Sequence, residues 1–247
     1  MADPLHQFQI TPLIPLHVGS TDLSFTNSSL WMTIAIVISV VFFTMALRKK
    51  EMVPGRKQAF AELLYNFVAN MIQDNVGNKG HKYFPLIFTV FMVVLLGNLL
   101  GMVPYSFTYT SHIAVTGVLA VAIFLIVTLI GFIKHGFHFF SFFCPSGVPL
   151  PLMPLIIPIE ILSYLIRPVT LSVRLFANMM AGHLILKVFA GFVVSFLSIG
   201  AVGIIAAPLP ILFNSVMIGF EILIALLQAY VFAILTCIYL KDSIDLH

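Results

Sequence analysis

Three apolar runs in this chain have no place in a soluble core. Leu30–Leu47, Phe84–Val103 and Ile113–Ile133 contain no Asp, Glu, Lys or Arg, and each approaches the ~20 residues a helix needs to cross hydrocarbon. None shows the alternation of a barrel strand, so the spans read as helices, the one open structure that satisfies its own backbone in lipid. Composition agrees: 60% of the 247 residues are hydrophobic and 9% charged, with a mean hydropathy of +1.10, whereas soluble domains carry about 25% charged residues. The expected fold is an all-α integral membrane protein, one domain over 1–247. It has about five embedded helices plus one interfacial amphipathic helix, the last two helices forming a long, strongly tilted hairpin.

The charges suggest an orientation. Span 30–47 begins at Trp31, an interfacial anchor, and stops at Arg48, Lys49 and Lys50, with Arg56 and Lys57 close behind and only Glu51 opposing them. Such a cluster marks the inner side, so the N-terminal segment 1–29 lies outside. Segment 54–75 mixes Phe60, Leu63, Leu64, Phe67, Val68 and Ile72 with charged and amide residues at helical spacing. It reads as an amphipathic helix on the inner surface. Span 84–103 returns outward to the connector Pro104–His112, which lacks Lys, Arg, Asp and Glu. Span 113–133 comes back to Lys134, His135 and His138. Lys241 then puts the C-terminus inside.

Five prolines between Pro145 and Pro158 exclude a regular helix there. From Pro158 to about Ala190, and from Pro208 to about Leu240, the chain reads as helix, within segments 149–192 and 205–240. Each helix would be roughly 50 Å long, against ~30 Å of hydrocarbon. Either both are steeply inclined or the region is broken into three spans. Ser195, Ser198, Gly200 and Gly203 supply one turn and favour the hairpin.

The N-terminus shows no signal-peptide pattern. Cys144 and Cys237 sit in no metal-ligand spacing and carry no redox message. His135 and His138 read as solvated and interfacial, without partners for a metal site. Asn27-Ser28-Ser29 matches a glycosylation acceptor but is read as incidental. No cofactor, metal or nucleic-acid motif is present.

Polar residues inside the long helices carry the functional signal. Arg174 is the only Asp, Glu, Lys or Arg between Arg167 and Lys187. Arginine stays protonated at any accessible pH, and near a bilayer midplane it costs about 2.5–3.5 kcal/mol on insertion scales. Glu160, Arg167, Leu171, Arg174, Asn178 and Ala181 fall within one helical stripe, while His183 and Lys187 form a second polar face. Asn214, Glu221 and Gln228 make a stripe on the last helix. Packed as a hairpin, the two helices bring Glu221 near His183 or near Arg174, depending on register. A carboxylate beside an imidazole suits proton exchange.

Each residue has a structural alternative. Arg174 pairs permanently with Glu221, Arg167 anchors a kink at Pro168 or holds a lipid phosphate, Lys187 snorkels to the interface, and Asn178 and Gln228 act as helix–helix glue.

The string from Ser172 to His183, SVRLFANMMAGH, followed by EILIALLQAYVF on the last helix, resembles the signature of subunit a of F-type ATP synthases. FPLIFTVFMVVLLGNLLGMVPY and PIEILSYLIRPVTL extend the likeness over nearly the whole chain. The resemblance implies that Arg174 faces the rotating c-ring, with Gln228 opposite it and Asn178 one turn along. It implies that His183 and Glu221 are the Glu/His pair of the family, and that Glu160 is the acidic residue on the inner side. Ala177 stands where the family usually has glycine.

The implied function is proton translocation through two half-channels offset around the c-ring, so that proton flow drives rotation and ATP synthesis. Such a subunit is a non-catalytic stator, with c-ring, b-type peripheral stalk, other Fo and F1 subunits and lipid as partners. It implies a bacterial inner membrane, the N-terminus resembling alphaproteobacterial members, with the mitochondrial inner membrane as the alternative. A sodium-translocating stator and a secondary cation/proton antiporter are the rival functions. The antiporter should show internal repeats, and none is visible.

Overall fold

A computed structural model describes residues 8–15, 17–18, 21–22, 24–48, 51–103, 106–143 and 152–244. Lys49, Lys50, Pro104, Cys144, Pro145, Pro149 and Pro151, invoked above, lie outside the described residues. Seven α-helices account for most of the rest: α1 (Asn27–Ala46), α2 (Arg56–Asn75), α3 (Phe84–Gly101), α4 (Ile113–His135), α5 (Met153–Leu197), α6 (Ala201–Ala206) and α7 (Pro208–Ile244). Five helical segments are long and apolar enough to cross a membrane: Asn27–Ala46, Asn78–Gly101, Ile113–Phe139, Met153–Leu197 and Gly203–Ile244.

The pattern of exposure identifies the solvent. On α4 the buried residues Thr116, Ala120, Ile123, Val127 and Gly131 recur at three and four, a single helical face. The opposite face carries Val118, Leu125, Leu129 and Ile133, each more than half exposed. A helix apolar on both faces belongs in lipid, where the outward side chains meet hydrocarbon. The chain is a multi-pass membrane protein.

Contacts divide the chain into two compact units, to which α1, α3, α5 and α7 each contribute. The first comprises the described residues of Met1–Val41, with Val93–Ile113 and Leu175–Ala229. Its N-terminal segment forms two small antiparallel ribbons: β1 (Pro12–Ile14) with β4 (Phe25–Thr26), and β2 (His17–Val18) with β3 (Thr21–Asp22). Asn27 ties the first ribbon to α1. Its Nδ2 donates to the Gln9 carbonyl at 3.1 Å, and its Oδ1 accepts from the Thr11 and Ser28 amides at 3.3 and 2.9 Å. The asparagine of the glycosylation-like motif thus holds the start of a helix.

In the same unit α5 and α7 run antiparallel. Asn178, His183 and Phe189 meet Gln228, Glu221 and Phe213 respectively, so numbers rise along one helix as they fall along the other. The turn between them occupies 198–200, with Gly200 at φ +88°. A Cβ at Gly203 would run into the Phe196 carbonyl, so only glycine lets α6 fold back that tightly. Ser195 lies inside α5 rather than in the turn, its hydroxyl donating to the Gly191 carbonyl.

The second unit comprises Phe42–Met92, Ala114–Arg174 and the described residues of Tyr230–His247. Here α2 buries Ala61, Leu64, Val68, Met71 and Ile72. Phe60, Leu63 and Phe67, assigned by sequence to that same face, are exposed instead. Phe60 meets Phe42, and Phe67 meets Phe91 and Tyr230 edge-on or tilted, so the helix presents two apolar stripes. Lys134 Nζ and His135 Nε2 both donate to the Ile244 carbonyl, at 2.9 and 3.0 Å. The Lys134 cation at the C-terminus of α7 complements its dipole. His135 is therefore bonded to protein rather than simply solvated.

Helix α5 begins at Met153, before Pro158, and runs unbroken for 45 residues; α7 runs for 37. Both exceed the 33-residue helices read from sequence, and the three-span alternative does not occur. Pro154, Pro158 and Pro168 are accommodated within the helix. Prolines remove backbone donors, and lipid-embedded helices tolerate this where neighbouring groups supply replacements.

Gly203→Ala should force the turn apart. Overpacking typically costs about 1–3 kcal/mol, so the purified chain in detergent should unfold several degrees earlier, as read by thermal scanning of its helical signal.

Candidate functional site

The polar residues that the sequence singles out fall into different environments. On α5, Arg174, Ala177, Asn178 and Ala181 are exposed, whereas Leu171, Leu175, Met179 and His183 are buried. The stripe from Glu160 to Ala181 is therefore not uniform: Leu171 lies inside, Glu160 and Arg167 are half-buried, and Arg174, Asn178 and Ala181 face out. Glu160 and Lys187 are half-buried. On α7, Glu221 and Gln228 are 4% and 3% exposed.

Two contacts between α5 and α7 organise the first unit. Asn178 Nδ2 donates to Gln228 Oε1 at 2.9 Å. Five residues further along α5, His183 Nδ1 lies 3.5 Å from Glu221 Oε1, so the helix register brings Glu221 to His183. Neither carboxyl oxygen of Glu221 has a hydrogen-bond partner among the described residues. A buried, unpartnered carboxylate is costly, so this group is satisfied only by holding a proton or by a charged imidazole beside it. The pair thus forms a place where one proton can be held and passed on. Gly182 makes room for it, since a Cβ there would approach Glu221 Oε1 to 2.7 Å.

The connector between α3 and α4 closes the other side of His183. Sequence reading treated it as an uncharged outer loop, yet Ser106, Thr108, Thr110 and Ser111 are all buried. Thr108 Oγ1 stands 2.9 Å from His183 Nε2 and donates to the Gly101 carbonyl at 3.0 Å. Tyr109 donates to the Val93 carbonyl at 3.0 Å and packs on Gly97, where a side chain would collide with its hydroxyl. Burial pushes the Tyr109 phenol well above its ordinary range and lowers His112, so both stay neutral near pH 7. Phe8 completes the surroundings: its ring sits edge-on to His183 at 6.3 Å, with Lys187 Nζ 5.5 Å from its centroid. Lys187 thus lies over an aromatic face.

Asn98, fully buried on α3, donates to the Ala225 carbonyl at 3.4 Å. It was missed as a polar group, although a lone asparagine in an apolar span is a signal for interhelical bonding. Thr108 gave no such signal, because hydroxyl-rich connectors are common.

In the second unit Arg167 has partners within the protein. It donates to Asp242 Oδ2 at 2.8 Å and lies 5.3 and 5.1 Å from the ring centres of Tyr164 and Tyr239. Tyr164 also shares a 2.6 Å hydrogen bond with Thr128. Sequence reasoning missed Asp242. Cys237 is buried and unbridged.

Residues 29–241 match the family model described as the ATP synthase A chain. The chain belongs to that family. It is 55% identical to the ATP synthase subunit a of Rhodospirillum rubrum, with both sequences covered in full. It is 53% identical to that of Parvibaculum lavamentivorans, covering 98% of this chain and 93% of the relative. It is 54% identical to that of Rhizobium leguminosarum bv. trifolii, covering 98% and 97%. The resemblance expected from RLFANMMAGH and LLQAYVF therefore holds over the whole family region.

Two measurements follow from this geometry. Asp242→Asn should lower the unfolding temperature by removing a charged hydrogen bond, typically worth about 1.5–3 kcal/mol; a double-mutant cycle with Arg167→Gln should show strong coupling. Gly182→Ala should displace Glu221 and cut proton conduction in reconstituted vesicles while leaving helix content, read by circular dichroism, unchanged.

Proposed function

We propose that this chain is the stator subunit through which protons cross the Fo sector of ATP synthase. It is a component of that complex and does not itself make or break ATP bonds. Its two half-channels meet a rotating c-ring at points offset around the ring, and proton flow turns the ring. The b-type peripheral stalk and the other Fo and F1 subunits hold it in place, with a bacterial inner membrane as its site, N-terminus outside and C-terminus inside.

The observation that carries this reading is the His183–Glu221 contact, buried on the two helices that bear the family's signature. Glu221 and His183 take protons arriving from outside and pass them to a rotor carboxylate. The exposed face of α5, where small Ala177 and Ala181 flank Arg174 and Asn178, is the surface that meets the ring. Beside Arg174 the ionised rotor carboxylate is favoured, because an opposite charge stabilises the charged form. The same positive charge repels a proton that would leak straight across. Gln228, fixed by Asn178, borders this surface, and Glu160 serves the inner exit. At 1.5 Å per residue α5 is roughly 68 Å long, so it lies steeply inclined in a ~30 Å core, following the curve of the ring. Each proton crossing yields about 2.3 kcal/mol per 100 mV.

The antiporter reading falls with the family assignment, and no observation favours sodium over protons.

Arg174→Ala in inverted membrane vesicles should leave the complex assembled, by native gel, but abolish ATP-driven acidification and raise passive proton leak. Unchanged pumping would overturn the mechanism.

A further inference from the structure

The Thr108 hydroxyl is held between a partner that can only accept and one that can do either. Helix α3 ends at Gly101, and carbonyls in the last turn of a helix lack intrahelical donors. Gly101 is served by two side chains from the connector, Ser106 Oγ and Thr108 Oγ1, each at 3.0 Å. Thr108 can approach so closely because residue 101 has no Cβ: one there would come within 2.6 Å of Oγ1. Thr108 is itself 2% exposed, and because a carbonyl only accepts, its single proton is the one that makes the bond to Gly101. With that proton committed to Gly101, Oγ1 presents only lone pairs to His183 Nε2, 2.9 Å away.

A hydroxyl lone pair facing a ring nitrogen at that distance is satisfied only when the nitrogen carries hydrogen. In a neutral imidazole a protonated Nε2 leaves Nδ1 as the acceptor, and the hydrogen bond at one nitrogen decides the state of the other. Nδ1 is the atom that faces Glu221, at 3.5 Å.

We infer that Thr108 is a positioning residue for proton transfer: through Gly101 and His183 Nε2 it holds the imidazole in the tautomer whose Nδ1 lone pair is aimed at Glu221. The inference rests on the proposed proton-carrying role of His183 and Glu221. When a proton moves from the Glu221 carboxyl to Nδ1, the O–H bond breaks as the N–H bond forms. The resulting imidazolium donates from Nε2 to Thr108 and from Nδ1 to the carboxylate, and the return transfer restores the starting state. Neither step requires the threonine proton to leave Gly101. Without the hydroxyl the ring is free to take the other tautomer, whose Nδ1–H offers Glu221 no acceptor.

The test uses the whole ATP synthase in membrane vesicles, with passive proton conduction measured after removal of F1. Thr108→Val keeps the shape and removes the hydroxyl; conduction should fall about tenfold, the rate equivalent of roughly one net hydrogen bond. Thr108→Ser restores the hydroxyl and should conduct close to wild type. A valine variant that assembles and conducts normally, or a serine variant as impaired as valine, overturns the proposal. If valine prevents assembly, nitrogen NMR of 15N-histidine-labelled wild-type complex decides, the His183 signals being assigned by their absence in His183→Gln. A neutral ring protonated at Nε2 supports the proposal and one protonated at Nδ1 overturns it. His183→Gln also separates the two levels of argument. If it conducts normally, the role of the His183–Glu221 pair falls and this inference with it. If it is dead while Thr108→Val is normal, only the role of Thr108 falls.

Discussion

Hydrocarbon offers no hydrogen bonds, and the pairing of polar groups inside this protein answers to that constraint. The backbone satisfies it by being helical nearly throughout the membrane. The side chains satisfy it by finding each other: Asn178 with Gln228, Thr116 with Ser172, Thr128 with Tyr164, Arg167 with Asp242. The apolar residues, by contrast, are nearly indifferent to which side they face, because lipid tails resemble a leucine core. Polar pairs therefore fix the register of the helices, where a soluble protein would rely on an inward apolar stripe.

Within that scheme Glu221 stands apart as a buried carboxyl group, 4% exposed. Both its oxygens lack hydrogen-bond donors among the described residues, and the His183 imidazole lies 3.5 Å away. A buried carboxyl group that accepts no hydrogen bond is costly as a bare anion, so a proton or a charged neighbour is what satisfies it. The surrounding structure keeps its site tight: Gly182 leaves just enough room for the carboxyl, and the connector between α3 and α4 folds hydroxyls down onto the far side of His183. Arg174 differs in another way. It is exposed, as are the small residues Ala177 and Ala181 further along the same helix.

The tight approaches depend on glycine at a few positions. Gly97 and Gly101 on α3 let Tyr109 and Thr108 pack against the helix, and Gly203 lets the chain reverse after α5. Larger side chains at these points would lift the connector or the turn away from the helices they complete.

The all-helical membrane class, the number of spans, the amphipathic α2 and the presence of costly polar groups, Arg174, His183 and Glu221, inside the long helices were legible in the sequence. Hydropathy, helical period and the cost of charge in lipid are local properties, written residue by residue. The family signature added the expected roles of Asn178, Gln228 and Glu160. Partnership was not legible. The spacing of Glu221 and His183 was compatible with more than one helix register, and only packing chose the one that joins them. Arg167 pairs with Asp242 across 75 residues of sequence, and Thr108 meets His183 across another 75. Neither has a periodic signal, because a hydrogen bond between distant segments depends on where the backbone carries them. Nor did the sequence reveal that α5 passes through its prolines unbroken for 45 residues. Proline disfavours helix locally, and helix is still the better outcome where no water can satisfy an unfolded backbone.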